Sequence, residues 1–148
     1  MSTYTQLNYH IVFSTKQRNP CLLKPNREKL VRYIWGIFSR KKCKLYRING
    51  VEDHLHILGS VHPSQSISGL VRDIKTNSNT FIKEKNLFPD FKNWQDGYSA
   101  FTLHQNDTKC LIQYIKNQEE HHKRITYKDE LRNLLIEHGV KFNESYLV

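Results

Sequence analysis

The chain predicts an α+β domain in which a small antiparallel sheet is backed by helices, and three observations predict it. Apolar residues alternate with polar ones in several short runs. They recur at three-to-four spacing in several longer runs. The two patterns follow one another along 148 residues with no internal repeat and no interdomain linker. In the first run Leu7, Tyr9, Ile11 and Phe13 alternate with Asn8, His10, Val12 and Ser14, which reads as a strand ending near Thr15. Pro20 and Pro25 then break the chain. From about Asn26 to Lys42, Leu30, Val31, Ile34, Ile37 and Phe38 form a helical stripe, with Arg27, Lys29, Arg32 and Arg40 on other faces.

Lys44 to Ile48 reads as a second strand and His54 to Val61 as a third, joined by a tight turn within Asn49–Asp53. After Pro63-Ser64, Ile67, Leu70, Val71, Ile74, Phe81 and Ile82 mark a second helix reaching about Lys85. Gln95 to His104 alternates again, as a fourth strand. Asn106-Asp107 is placed to cap a third helix running through about His122, with Leu111, Ile112 and Ile115 as its apolar stripe. A last helix, about Tyr127 to His138, carries Leu131, Leu134 and Leu135 and stops at Gly139. The first six elements, β-α-β-β-α-β, match the ferredoxin-like (RRM-like) arrangement, followed by C-terminal helices. In that topology the third strand is central and borders the first.

One domain, residues 1–148, suits this length. Twenty-three Lys and Arg against 14 Asp and Glu leave a net charge of +9, which favours a polyanionic partner. No apolar run approaches the roughly 20 residues that span a bilayer. The N-terminus lacks the basic and apolar regions of a secretory signal, so a cytosolic protein with no membrane partner is expected. Cys21, Cys43 and Cys110 are odd in number and widely spaced, as reduced packing thiols are, not a disulfide framework or paired zinc ligands. A Gly-rich phosphate loop and a Gly-x-Ser-x-Gly elbow are both missing, which leaves NTPase and serine-hydrolase chemistry without support.

The chemistry concentrates in His54-Leu55-His56. On a strand the two imidazoles project from the same face, roughly 7 Å apart at Cα, while Leu55 points into a core. Both rings can therefore converge on one ion. The best partner segment is Cys110–Gln118, where Tyr114 and Gln118 stand at i and i+4 on one helix face, a phenol nucleophile beside an oxygen ligand. Two imidazoles and a carboxamide oxygen, with no thiolate, suit Mg²⁺ or Mn²⁺ better than a structural Zn²⁺.

Four stretches in one order, Tyr9–Lys16, Asp53–Leu58, Gly97–Phe101 and Tyr114–His122, resemble the single-tyrosine HUH transposases of the insertion-sequence 200/605 family and their relatives associated with repetitive extragenic palindromes. The resemblance covers nearly the whole chain. It implies a transposase that cuts and rejoins hairpin-bearing single-stranded DNA through a 5′-phosphotyrosine intermediate, with a divalent metal and no nucleotide cofactor. By position it implies His54, His56 and Gln118 as metal ligands and Tyr114 as nucleophile. It also implies a homodimer in which Tyr114 and Gln118 of one subunit can act in trans.

Two other functions fit parts of the pattern. One is a domesticated repeat-processing nuclease with the same chemistry. The other is a noncatalytic RRM-like single-strand binder, whose aromatic motif Gly97–Phe101 would then lie on the fourth strand instead of the third. Of the remaining residues, His10 is expected to pack, His121 and His122 to form a solvated helix end, and Tyr127 to have no ligand partner. Lys16, Arg18, Arg27, Arg32, Lys41 and Lys42 are candidate phosphate contacts.

Overall fold

The computed structural model describes residues 2–147. Its elements are β1 (Asn8–Ser14), α1 (Asn26–Arg40), β2 (Lys44–Gly50), β3 (His54–Ser60), α2 (Ile67–Lys85), β4 (Ser99–Thr102), α3 (Thr108–Lys116), α4 (Gln118–His122) and α5 (Tyr127–Glu137). The strands form one antiparallel sheet in the order β2-β3-β1-β4, as the βαββαβ reading requires. β3 is central, and its register sets Val12 opposite His56 and Ser14 opposite His54.

Alternation along β1 and β3 divides the protein into two apolar layers. On one face Ile11, Phe13, Leu55 and Ile57 pack with Leu30, Ile34, Ile37 and Phe38 of α1 and Leu70, Val71 and Ile74 of α2. Trp94 closes this layer edge-on to Phe13, its Nε1 donating to the buried Ser78 hydroxyl at 2.9 Å. The second layer lies on the histidine face, where Val12 and Phe101 meet Tyr127, Leu131, Leu134 and Leu135 of α5. Both faces of the sheet are thus covered, the second by the C-terminal helix.

Several boundaries differ from the sequence reading; the fourth strand, read as Gln95 to His104, is Ser99–Thr102, and the first helix stops at Arg40. The third helix begins at Thr108 and breaks at Asn117 (φ −94°, ψ 19°), which separates α3 from α4. Its start has a different cap as well: Asp107 makes no side-chain cap, and His104 Nδ1 accepts from the Asn106 N–H just upstream. The turn between β2 and β3 is residues 51–53, so Asn49-Gly50 belong to β2. Glycine is required at 50 because a Cβ there would stand 2.3 Å from the His54 carbonyl oxygen. No helix among the described residues is long and apolar enough to cross a membrane.

Candidate active site

β3 delivers His54 and His56 to the sheet face beneath α5, and both side chains are fully buried. The turn ahead of β3 adds Asp53, whose Oδ1 lies 2.7 Å from His54 Nδ1. β1 adds His10, whose Nε2 lies 2.7 Å from His56 Nδ1. Each imidazole is therefore held from behind at Nδ1, and Nε2 faces forward in both. The target of both is Glu130 of α5: its Oε1 lies 2.8 Å from His56 Nε2 and 3.3 Å from His54 Nε2.

The tyrosine segment closes on the same carboxylate. Asn49 of β2, the register partner of His56, donates through Nδ2 to the carbonyls of Ile115 (3.2 Å) and Lys116 (3.3 Å). This pins the C-terminal end of α3 to the sheet, where the helix leaves carbonyls free. Tyr114 then donates its hydroxyl to Glu130 Oε2 and stands edge-on to the His56 ring at 5.8 Å. Gln118, fully buried, donates Nε2 to Glu130 Oε2 at 3.3 Å, and its Oε1 has no hydrogen-bond partner. Past the break, His122 Nε2 lies 3.0 Å from Glu130 Oε1 and His121 Nε2 3.1 Å from Oε2.

All four residues singled out from sequence, His54, His56, Tyr114 and Gln118, thus meet in one place within a single chain. One expectation is corrected and two are extended. His121 and His122 are not a solvated helix end: the break at Asn117 redirects the last turn, and both rings reach Glu130. His10 is buried as expected but also hydrogen-bonds His56. Tyr127 stacks on His54 at 4.4 Å between ring centroids. Glu130 was passed over altogether. Its signal was a carboxylate on the apolar stripe Tyr127, Leu131 and Leu134, at i+3 from the first and one and four residues before the others. Likewise Tyr114, Gln118 and His122 recur every four residues.

Charge in the cluster follows from burial and pairing. Burial, with repulsion from His56 next, drives His10 down to about 3, so it is neutral. Burial also lowers His56, whereas at His54 the hydrogen bonds it gives to Asp53 and Glu130 outweigh burial and raise it. Burial opposes the charge of Glu130, yet hydrogen bonds from His122, His54 and His56 outweigh it and hold the carboxyl far below the usual carboxylate range. Tyr114 is pushed upward, first by burial and then by the Glu130 charge, so its proton is held more tightly than in water.

The residues fit a divalent cation. His54, His56, His122 and Glu130 each offer a ligand atom, and these atoms lie within 4.8 Å of one another. Gln118, whose Nε2 meets Glu130, carries a further oxygen donor in its buried, unpartnered Oε1. Three imidazoles and a carboxylate, without thiolate, make a mixed nitrogen and oxygen donor set suited to a divalent metal ion.

Two clefts flank the cluster. One, about 460 Å³, is lined by His10, Leu103, Cys110, Tyr114 and His138. The other, about 610 Å³, lies on the His122 side and is rimmed by Arg18, Lys24 and Lys123. Of the six candidate phosphate contacts, three are engaged elsewhere: Arg27 is buried against the Leu22 carbonyl and Glu119, Arg32 pairs with Glu28, and Lys41 with Asp73. The sheet face that an RRM-like binder would use for stacking bases lies under α5, and Phe101 is buried there.

Comparison with known proteins bears on family and fold. Residues 3–118 match the family model described as "Transposase IS200 like". The transposase for insertion sequence element IS200 of Salmonella typhimurium is 28% identical over 120 residues, 78% of each chain. A crystal structure from Deinococcus radiodurans superposes with a TM-score of 0.62 at 22% identity, over 80% of this chain and 95% of that one. A REP-associated tyrosine transposase bound to a REP hairpin superposes with a TM-score of 0.61 at 15% identity, over 84% and 76%. These two structural likenesses speak for the fold, and the family match speaks for descent. The chain belongs to the IS200-like family of transposases.

Proposed function

We propose that the protein cuts and rejoins single-stranded DNA at hairpin-bearing ends, with Tyr114 as nucleophile. The observation that carries this reading is the placement of a half-buried phenol on the carboxylate where the imidazoles of His54, His56 and His122 converge. The cleft beside His122 is of mixed charge, its Lys24 and Lys123 pairing with Glu119 and Glu120, and Arg18 on its rim supports a strand whose phosphate approaches the cluster there. The hairpin-bound relative supports a hairpin as the recognised feature.

His54, His56 and Gln118 are the ligands we assign to a divalent cation, Mg²⁺ or Mn²⁺, with His122 beside them. When bound, the cation supplies positive charge that offsets the negative charge developing on the phosphate. Asp53 and His10 hold the two imidazoles in position from behind, and Asn49 holds the tyrosine helix against the sheet. The Tyr114 oxygen attacks phosphorus and a 3′-hydroxyl leaves. A phosphodiester-like bond to tyrosine conserves the energy, so a second 3′-hydroxyl reverses the step with no nucleotide cofactor. The four residues meet within one chain, and we read cleavage as proceeding in cis. A homodimer in which Tyr114 and Gln118 act in trans is a second arrangement, for which the Asn117 joint provides no hinge because it lies between those two residues.

The test is incubation with labelled single-stranded hairpin oligonucleotides and Mg²⁺, followed by mapping of the DNA-linked peptide. The adduct is expected on Tyr114, lost in Tyr114→Phe with DNA binding retained. An adduct elsewhere, or cutting at full rate in a chelator, refutes the assignment. Mixing a Tyr114→Phe chain with a His54→Ala chain separates the two arrangements, since an adduct that forms only in the mixture means trans.

A further inference from the structure

We infer that Glu130 of α5 is shared between the cation and the nucleophile: Oε1 is a cation ligand, and Oε2 takes the proton of Tyr114. The inference rests on the function proposed above and extends it to a residue outside the segment that matches the family, which ends at residue 118. Four facts carry it. Glu130 is 2% exposed on a helix that is otherwise apolar toward the sheet, an expensive place for a carboxylate without a task. Its Oε1 faces the Nε2 atoms of His54, His56 and His122 at 2.8 to 3.3 Å. Its Oε2 accepts the Tyr114 hydroxyl, the only acidic oxygen hydrogen-bonded to that phenol among the described residues. Gln118 donates to the same Oε2, leaving its own carbonyl free for the cation.

The division of labour between the two oxygens balances the reaction. As the Tyr114 oxygen forms its bond to phosphorus, its O–H bond breaks toward Glu130 Oε2. As the phosphorus–O3′ bond breaks on the far side of phosphorus, the departing 3′ oxygen takes a proton from water and Glu130 Oε2 gives its own back to water. The carboxylate is regenerated, and rejoining runs through the same transfers in reverse. His121, whose Nε2 lies 3.4 Å from the Tyr114 hydroxyl, borders this path but meets it less closely. The competing role is that of a plug, a carboxylate occupying the imidazole cluster that a cation must expel.

The test uses the full chain as wild type, Glu130→Gln and Glu130→Asp. Mn²⁺ binding is read without DNA by the electron paramagnetic resonance of free Mn²⁺. Covalent adduct formation on a hairpin oligonucleotide is read at saturating Mn²⁺. Glu130→Gln is expected to bind Mn²⁺ about tenfold more weakly and to form the adduct about a hundredfold more slowly. Equal or tighter Mn²⁺ binding with a wild-type adduct rate makes Glu130 a plug and overturns the inference. Weaker binding with a wild-type rate at saturation overturns the proton-acceptor half, and a slower rate with unchanged binding overturns the ligand half. Should Glu130→Gln fail to melt cooperatively, Glu130→Asp decides, because it keeps the charge but withdraws it by one methylene: a wild-type rate there overturns the inference. A wild-type protein that links no DNA to Tyr114 defeats the function proposed above, whereas the Mn²⁺ measurement still reports on Glu130.

Discussion

Replacing Gln118 with methionine separates what this side chain does for the fold from what it does for a cation. The amide is fully buried, gives one hydrogen bond of 3.3 Å to Glu130 Oε2, and leaves Oε1 without a partner. Removing a buried, unpartnered carbonyl oxygen recovers about 1–3 kcal/mol. Losing the donor to a carboxylate costs about 1.5 kcal/mol, the low end for a charged pair because the bond is long. Without a cation the two effects nearly cancel, and Tm is expected to move by no more than about 4 °C. With a cation the balance changes. Saturating ligand at a hundred times Kd stabilises the wild type by about 2.7 kcal/mol, and a tenfold weaker site keeps only about 1.4 kcal/mol. Thermal melts of both proteins in chelator and in Mn²⁺ read these quantities directly. A Tm drop beyond about 8 °C in chelator shows that Oε1 is satisfied in the folded protein. An equal Mn²⁺-induced rise in both proteins shows that Gln118 is no ligand.

Two further outcomes follow from packing. Leu134→Ala removes a buried side chain from the layer that holds α5 and is expected to cost about 2–4 kcal/mol. Because the larger core lies across the sheet, hydrogen exchange should quicken in α5 before it does in β1 and β3, and a uniform increase would show the two layers to be one cooperative unit. Cys110 is exposed, whereas Cys21 and Cys43 are buried and burial pushes the Cys21 thiol up to about 11. Ellman's reagent is expected to label one thiol promptly in the native protein and two more only on unfolding, and three prompt thiols would contradict the burial.

Most of the sheet was legible because alternation is a local property. The pattern at Leu7–Ser14 and His54–Ser60 sets register, and register sets Val12 against His56. Tyr114 and Gln118 were legible for the same kind of reason, since i,i+4 spacing survives even though the helix breaks between α3 and α4. The break itself was not. A straight helix cannot turn His121 and His122 toward one carboxylate, so their adjacency argued against a shared task until Asn117 bent the path. Glu130 needed a long-range fact: which sheet face a C-terminal helix covers is decided by the packing of Leu131, Leu134 and Leu135 onto Val12 and Phe101. The periodicity of α5 names its apolar side without naming its neighbour. Arg27 shows the converse, a charge in a basic run that a carbonyl and Glu119 withdraw from solvent.

The sheet serves as a wall braced behind by one apolar layer and roofed in front by another, and the two sides answer to change differently. A substitution behind β3 shifts the backbone that aims both imidazoles at once, so that side is constrained like a foundation. The roof is fastened by a few leucines and begins beyond residue 118, where the family match stops. A substitution in the roof therefore moves Glu130 relative to Tyr114 while leaving the histidine wall in place.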